Sequence, residues 1–250
     1  MDLYEPASKP AEPHARILML HGHGQSGQFF FHKTRFMQQV VGKTMIRWLQ
    51  EFGDKESNSE AVDFFYPSAP LPANPDDPSK ETSNLRAWGH GDPEQDQING
   101  LENSLQFISK ILEENGPFIG IVGFSTGAAV AALISSLLEK KESASGFRSS
   151  HAPLKFTICF SGFKLENPIY TPVYEPTLQT PILNVVGTLD TMIEPEKSFR
   201  LQECGENIEL HQFEGTHYVP RSQDFLENLR EFIWKSLTNV SDEEGAWEDC

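Results

Sequence analysis

The sequence predicts an α/β fold with a mostly parallel central sheet and helices on both faces. Short apolar runs of strand length, such as 118–122, alternate along the chain with segments whose apolar residues recur at helical spacing. This alternation places a helix between successive strands and so favours parallel pairing with both faces covered. The chain has 250 residues, 38% of them hydrophobic, which is enough for one sizeable core.

The predicted strands and helices follow one another in a regular order. The strands are ARILML at 15–20, VDFFYPSAP at 62–70, FIGIV at 118–122, LKFTICFSGF at 154–163, TPILNVVGTLD at 180–190 and NIELHQFEGTH at 207–217. The helices are 32–53, 98–116, the alanine-rich segment that begins at 126, 195–205 and 222–237.

Residues 67–97 form a long connection rich in proline, aspartate and serine. It also carries Leu71, Leu85 and Trp88, so it is too apolar for a plain linker, and long loops of this kind are often functional. We therefore expect one domain over 17–238 with this loop beside the pocket. An N-terminal arm at 1–16 precedes the domain, and an acidic tail at 239–250 follows it.

The charge of the chain excludes several classes of partner. A formal net charge of −16 argues against nucleic acid and against an anionic membrane surface. We find neither a secretory apolar region at the N-terminus nor an apolar run of membrane-spanning length. Of the three cysteines, Cys159 lies in an apolar strand where a reduced thiol is expected, so we expect a cytoplasmic protein.

A serine stands between two glycines where an apolar strand gives way to a helix. The sequence GFSTG at 123–127 fits the G-x-S-x-G nucleophile elbow, whose sharp turn lifts the serine oxygen above the sheet. The alternative is a glycine-rich turn with a surface serine, since short patterns of this kind also occur by chance. The strand before it and the helix after it favour Ser125 as a nucleophile.

A nucleophilic serine needs a base and an acid, and the hydrolase arrangement orders them as Ser, Asp or Glu, His. His211 lies inside the alternating strand IELHQF at 208–213, whereas His217 follows Gly215 in the loop just beyond it. Asp190 ends a buried strand, and strand C-termini are where open α/β sheets build their sites. We therefore expect a Ser125, Asp190 and His217 triad. Weaker acid candidates remain, namely Glu166, Glu194 and Glu214. The alternatives are that Asp190 caps the next helix and that His217 is a partly buried loop histidine.

The oxyanion of the tetrahedral intermediate needs two donors. We predict the backbone N–H of Thr126, which opens the helix, and that of His23 in the glycine-rich loop after the first strand. The histidines of this loop could instead bind a metal together with His32 or His90. No acidic or cysteine ligand accompanies them at a recognisable spacing, so we expect neither a metal nor another cofactor.

Six segments together resemble the FSH family of fungal serine hydrolases. They are LMLHGHGQSGQFF, YPSAPLP, the RAW at 86–88, NGPFIGIVGFSTGAAVAAL, FSGF and GTHYVP, and the resemblance covers 17–237. Thr126 stands where most members have glutamine. The resemblance implies an α/β-hydrolase without a large cap, esterase or thioesterase activity, and a triad at Ser125, Asp190 and His217. Some relatives look like thioesterases that release polyketide products, which adds a biosynthetic role as one alternative.

We therefore expect hydrolysis of a small-molecule ester or acyl thioester through an acyl-Ser125 intermediate. A thioester on an acyl carrier protein is a further alternative. Several aromatic residues should converge at the strand C-termini and suit an apolar acyl chain, and we expect Trp88, Phe163 and Phe30 to bind it. The rival function is a binding protein of the same fold with little or no turnover.

Overall fold

The structure, a computed structural model, describes residues 15–53, 55–76, 84–92, 97–141 and 147–238. The predicted acidic tail at 239–250 lies outside the described residues. So does the predicted arm at 1–16, apart from its last two residues, which belong to the first strand.

Six parallel strands form the central sheet, in the order β10-β9-β8-β7-β1-β2. The strands of this sheet are β1 Ala15–Leu20, β2 Val62–Phe65, β7 Gly120–Phe124, β8 Phe156–Phe160, β9 Ile182–Gly187 and β10 Ile208–Phe213. The short strands are β3 Leu71–Pro72, β4 Arg86–Ala87, β5 His90–Asp92 and β6 Gln97–Asn99. The predicted parallel α/β sheet is therefore confirmed.

The helices connect the parallel strands. They are α1 Gly27–Phe52, α2 Leu101–Asn115, α3 Thr126–Lys140, α4 Thr171–Tyr174, α5 Pro195–Phe199 and α6 Gln223–Thr238, with 3-10 turns at Ser59–Ala61, Pro168–Tyr170 and Arg200–Cys204. Helix α1 begins five residues earlier than predicted, because the Ser26 side chain accepts a hydrogen bond from the backbone of Phe29 and caps its first turn. Among the described residues, no helix combines the length and the apolar character that crossing a bilayer requires.

The two faces of the sheet bury two separate apolar clusters. Leu18 and Leu20 of β1 pack with α2 and α3, whereas Ile17 and Met19 pack with α1 and α6. This division follows from the alternation of side chains along a strand. Cys159 is a buried free thiol, as expected from its apolar strand.

The predicted long loop at 67–97 is described in part, and it contains short antiparallel pairs. Strand β3 pairs with β4, and β5 pairs with β6. The second strand of the sheet ends at Phe65, so the predicted extension to 70 belongs to this loop. Arg86 exchanges backbone hydrogen bonds with the loop after β1, since it accepts from Gly24 and donates to Gln25. The loop therefore lies against the predicted oxyanion segment.

Candidate active site

Ser125 lies in a strained turn between β7 and α3. Its φ of 56° and ψ of −123° are rarely adopted by a residue with a side chain. Its backbone N–H donates to the carbonyl of Phe160 at 2.8 Å, which fixes the turn at the end of the neighbouring strand. A Cβ on Gly123 would lie 2.3 Å from the carbonyl oxygen of Gly127, so this turn requires glycine. The predicted strand-turn-helix context of the serine is present.

Asp190 and His217 meet at the ends of the next two strands. Nδ1 of His217 lies 2.7 Å from Oδ2 of Asp190. Two backbone hydrogen bonds hold their loops together, from Thr188 to Phe213 and from Leu189 to Gly215, both at 3.0 Å. The predicted acid and base are therefore side by side, although 27 residues separate them in the chain.

The Asp190 carboxylate is held ionised. Burial raises its pKa, but the hydrogen bonds from the His217 ring and from the backbones of Ile193 and Met192 outweigh burial and lower it overall. Those two backbone N–H groups donate to Oδ1 at 3.0 and 2.9 Å. An ionised carboxylate only accepts, so Nδ1 of neutral His217 carries the proton and Nε2 is left as an acceptor. The alternative that Asp190 caps the next helix is wrong, because the N-cap of α5 is Glu194 and Asp190 accepts from Met192 and Ile193, which precede that helix.

Phe124 links His217 to the elbow. The ring centroids of Phe124 and His217 are 4.7 Å apart, and Phe124 immediately precedes Ser125. On the same ring, the ammonium of Lys33 lies 3.4 Å from the centroid, and burial lowers the pKa of Lys33 to about 8. Lys33 and His217 therefore both contact the Phe124 ring.

The competing candidates lie elsewhere. His211 packs against Phe225, and its Nε2 is 4.0 Å from the carboxylate of Asp224. Glu166 forms an ion pair with Arg200. Glu194 is exposed at the start of α5, and Glu214 is exposed in the loop before His217. None of these four residues contacts His217 in the part of the chain that the structure describes.

The predicted oxyanion segment lies against the elbow. A Cβ on Gly22 would lie 3.4 Å from Cβ of Ser125. His23 is exposed next to it, and Thr126 is the first residue of α3, where backbone N–H groups have no intrahelical acceptor. Thr126 thus directly follows Ser125, and Gly22, which precedes His23, lies against Ser125.

The buried His21 ring holds the predicted oxyanion segment in place through two hydrogen bonds. Its Nδ1 donates to the carbonyl of Gly22 at 2.7 Å, and its Nε2 accepts from the backbone of Ala69 at 3.0 Å. Burial is the main cause that lowers its pKa to about 4. Since both ring nitrogens are engaged, His21 is not free to bind a metal. Within the described ranges, no three histidine, cysteine or acidic residues are grouped to hold an ion.

We expect acid to destabilise the protein through His21. In the unfolded chain His21 titrates near 6.5. The stability that its burial as a neutral ring contributes is therefore complete above that pH and is lost as the pH falls towards about 4. Between pH 7.5 and pH 5 the loss from this residue is about 2 kcal/mol. Urea unfolding at both pH values should show a smaller loss in His21→Gln, whereas His32→Gln on the exposed face of α1 should match the wild type. An unchanged loss in His21→Gln would contradict this assignment.

The structure corrects two of the three predicted substrate-binding aromatics. Trp88 is fully buried in the core, and its indole N–H donates to the carbonyl of His21 at 2.7 Å. Phe30 is also fully buried and stacks on Phe124, with centroids 6.4 Å apart. Both residues support the elbow and the oxyanion segment from inside. Phe163 is half-buried against the core and keeps some exposed surface.

An exposed apolar rim borders the acid and base, and the sequence analysis missed it. It consists of Leu189, Met192 and Tyr218, which are 54%, 73% and 43% exposed. The sequence could have indicated these three residues, because each lies one or two positions from Asp190 or His217. A separate cavity of about 440 Å³ lies at the start of α1 and is lined in part by Phe29, His32 and Arg86.

The fold and this constellation define an α/β-hydrolase with a serine elbow. The family described as serine hydrolase (FSH1) matches residues 11–229. The chain therefore belongs to this family of serine hydrolases.

Three curated relatives match most of the chain. Family of serine hydrolases 2 of Saccharomyces cerevisiae is 30% identical over 220 residues, which cover 87% of this chain and 96% of that protein. Esterase OVCA2 of Xenopus tropicalis is 28% identical over 232 residues, with coverage of 89% and 94%. Dihydrofolate reductase of Schizosaccharomyces pombe is 27% identical over 237 residues, 89% of this chain but 48% of that protein. This chain thus spans about half the length of that relative.

Acyl-protein thioesterase 2 of Zea mays has a similar fold. The TM-score is 0.59, with 18% identity and coverage of 92% of this chain and 96% of that chain. At this identity the likeness concerns the fold alone. It agrees with an α/β-hydrolase without a large cap domain among the described residues.

Proposed function

We propose that the protein hydrolyses esters or thioesters of an apolar acyl group through an acyl-Ser125 intermediate. The single observation that carries this proposal is the 2.7 Å contact between His217 and Asp190 beside the strained elbow of Ser125. Membership of a serine hydrolase family supports the reaction class.

In the proposed mechanism, Nε2 of His217 takes the Ser125 proton as the serine oxygen attacks the acyl carbonyl. Asp190 fixes the tautomer of the imidazole and stabilises the imidazolium that forms. The backbone N–H groups of Thr126 and His23 stabilise the oxyanion, and the start of α3 adds its dipole. His217 then protonates the leaving alcohol or thiol, and a water activated by the same residue releases the acid. These steps use no metal or other cofactor.

The exposed rim of Leu189, Met192 and Tyr218 is proposed to receive the acyl chain. These three side chains are exposed although they are large and apolar, and each lies one or two residues from Asp190 or His217 in the chain. Phe163 remains proposed as a further contact, since it is half-buried.

A substitution in the rim tests the function and the acyl preference together. Met192→Ser should lower kcat/KM for long-chain acyl esters by the equivalent of about 1 to 2 kcal/mol of transition-state stabilisation, while kcat/KM for acetyl esters changes little. Leu210→Ser is the matched control, because Leu210 is 40% exposed on the edge strand β10 and does not border Asp190. Kinetics of the three proteins on ester and thioester panels of increasing chain length give the result.

If Met192→Ser loses as much kcat/KM for acetyl esters as for long-chain esters, the rim does not bind the acyl chain. No hydrolysis of any ester or thioester by the wild type, together with no labelling by a fluorophosphonate, would favour the rival function of a binding protein.

Release of a product from a polyketide synthase or from an acyl carrier protein stays an expectation of the family resemblance. Cytoplasmic placement, supported by the buried free thiols of Cys159 and Cys204, stays an expectation as well.

A further inference from the structure

Ser161 lies next to the acid of the candidate triad but has no role in the mechanism above. It directly follows β8 and is 1% exposed. Its backbone N–H donates to the carbonyl of Val185 on β9 at 2.9 Å. Strand β9 leads to Asp190, so Ser161 lies at the edge of the sheet where the acid is placed.

Two features of Ser161 are unfavourable for stability. Its φ of 46° is in the left-handed region, where residues with a side chain are disfavoured. Its buried Oγ makes no hydrogen bond of ordinary geometry with any described residue. Strained backbone and an unpaired buried hydroxyl at one position indicate a functional requirement.

The carboxylate of Asp190 offers a partner for this hydroxyl. A carboxylate has about four acceptor positions. Oδ1 accepts from the backbones of Met192 and Ile193, and Oδ2 contacts His217. One position therefore stays open. The Ser161 hydroxyl is close enough to make the smallest of the contributions that lower the pKa of Asp190.

We propose that Ser161 is a positioning residue, whose hydroxyl donates to the open acceptor position of Asp190 and keeps the carboxylate in line with Nδ1 of His217. This donor favours the ionised carboxylate whether His217 is neutral or protonated. The inference rests on the proposed serine hydrolase mechanism and adds a residue to it.

Two variants separate the hydroxyl from the backbone strain. Ser161→Ala and Ser161→Gly both remove the hydroxyl, but only glycine also relieves the left-handed φ. Both should lower kcat by about tenfold, the equivalent of one hydrogen bond, with little change in KM. Both should also move the acidic limb of the kcat/KM pH profile to higher pH. Without its donor, Asp190 becomes more basic and favours the protonated state of His217. Neither variant changes Lys33, the cation that contacts the same Phe124 ring as His217.

A purely structural role gives a different pattern. In that case activity follows stability, so Ser161→Gly is as active as the wild type and neither variant shifts the pH profile. Either variant with wild-type kcat and an unshifted profile overturns the proposal.

The downfield NMR signal of the His217 Nδ1 proton supplies a readout that needs no turnover. We expect it to shift in both variants at low pH, and an unchanged signal overturns the proposal. If the wild type hydrolyses no ester, the proposed function fails, while this signal still decides whether Ser161 positions the pair.

Discussion

Ser125→Ala should lower kcat by at least about 10⁴-fold while the protein stays folded. The substitution removes the oxygen proposed to form the acyl-enzyme, and alanine tolerates the φ of 56° about as well as serine does. The proposed oxyanion donors are backbone groups and remain, so a residual rate above that of water is expected. Steady-state kinetics, with circular dichroism to confirm folding, measure both results.

Thr126→Ala is the matched control for this variant. It removes the adjacent hydroxyl, which has no hydrogen-bond partner among the described residues, and keeps the backbone N–H proposed for the oxyanion hole. Its kcat should stay within a few-fold of the wild type. Near-normal hydrolysis by Ser125→Ala would remove Ser125 as the nucleophile.

Asp190→Asn should lower kcat by about 10⁴-fold, with a much smaller effect on KM. The amide oxygen can still accept from the backbones of Met192 and Ile193 in place of Oδ1. The amide NH₂ then faces Nδ1 of His217 and donates to it. Neutral His217 must therefore carry its proton on Nε2, where the base has to accept the serine proton. The same kinetic assay, with a thermal melt as the folding check, measures the effect.

Glu194→Gln is the control for the acid, because Glu194 was a candidate on sequence and is exposed at the start of α5. It should keep wild-type kinetics. A full loss in Glu194→Gln together with normal activity in Asp190→Asn would transfer the acid to Glu194.

Much of the fold was predictable, because short runs of apolar residues that end at glycine identify buried parallel strands. All six predicted strands are present in one sheet, and the serine elbow lies where strand and helix meet. The early start of α1 was missed, because the cap at Ser26 lies inside a glycine-rich stretch that is typical of a loop. The extension of β2 to 70 was wrong, since Ser68 instead accepts a hydrogen bond from the backbone of Gly27.

The candidate acid and base were predictable for a geometric reason. Parallel strands end at one edge of the sheet, so residues that follow β9 and β10 come together whatever their separation in sequence. The structure places Asp190 and His217 in contact. Their catalytic roles remain predictions.

The aromatic residues were harder to assign, because a loop tryptophan looks similar in sequence whether it faces the pocket or the core. Trp88 faces the core since its indole finds an acceptor in the buried carbonyl of His21. That partner is 67 residues away and has no local signal. The exposure of Met192 likewise depends on how the loop after β9 folds over Asp190.

The most direct test of the central claim, that Ser125 is the nucleophile, is to locate the adduct of a fluorophosphonate on the wild-type protein. A phosphonate reacts with a serine only when a base activates the hydroxyl and an oxyanion site stabilises the product. Proteolysis and tandem mass spectrometry identify the modified residue. The mechanism predicts one adduct, on Ser125, that is prevented by excess ester substrate and absent in Asp190→Asn over the same reaction time. An adduct on another serine, or none on protein that hydrolyses esters, would contradict it.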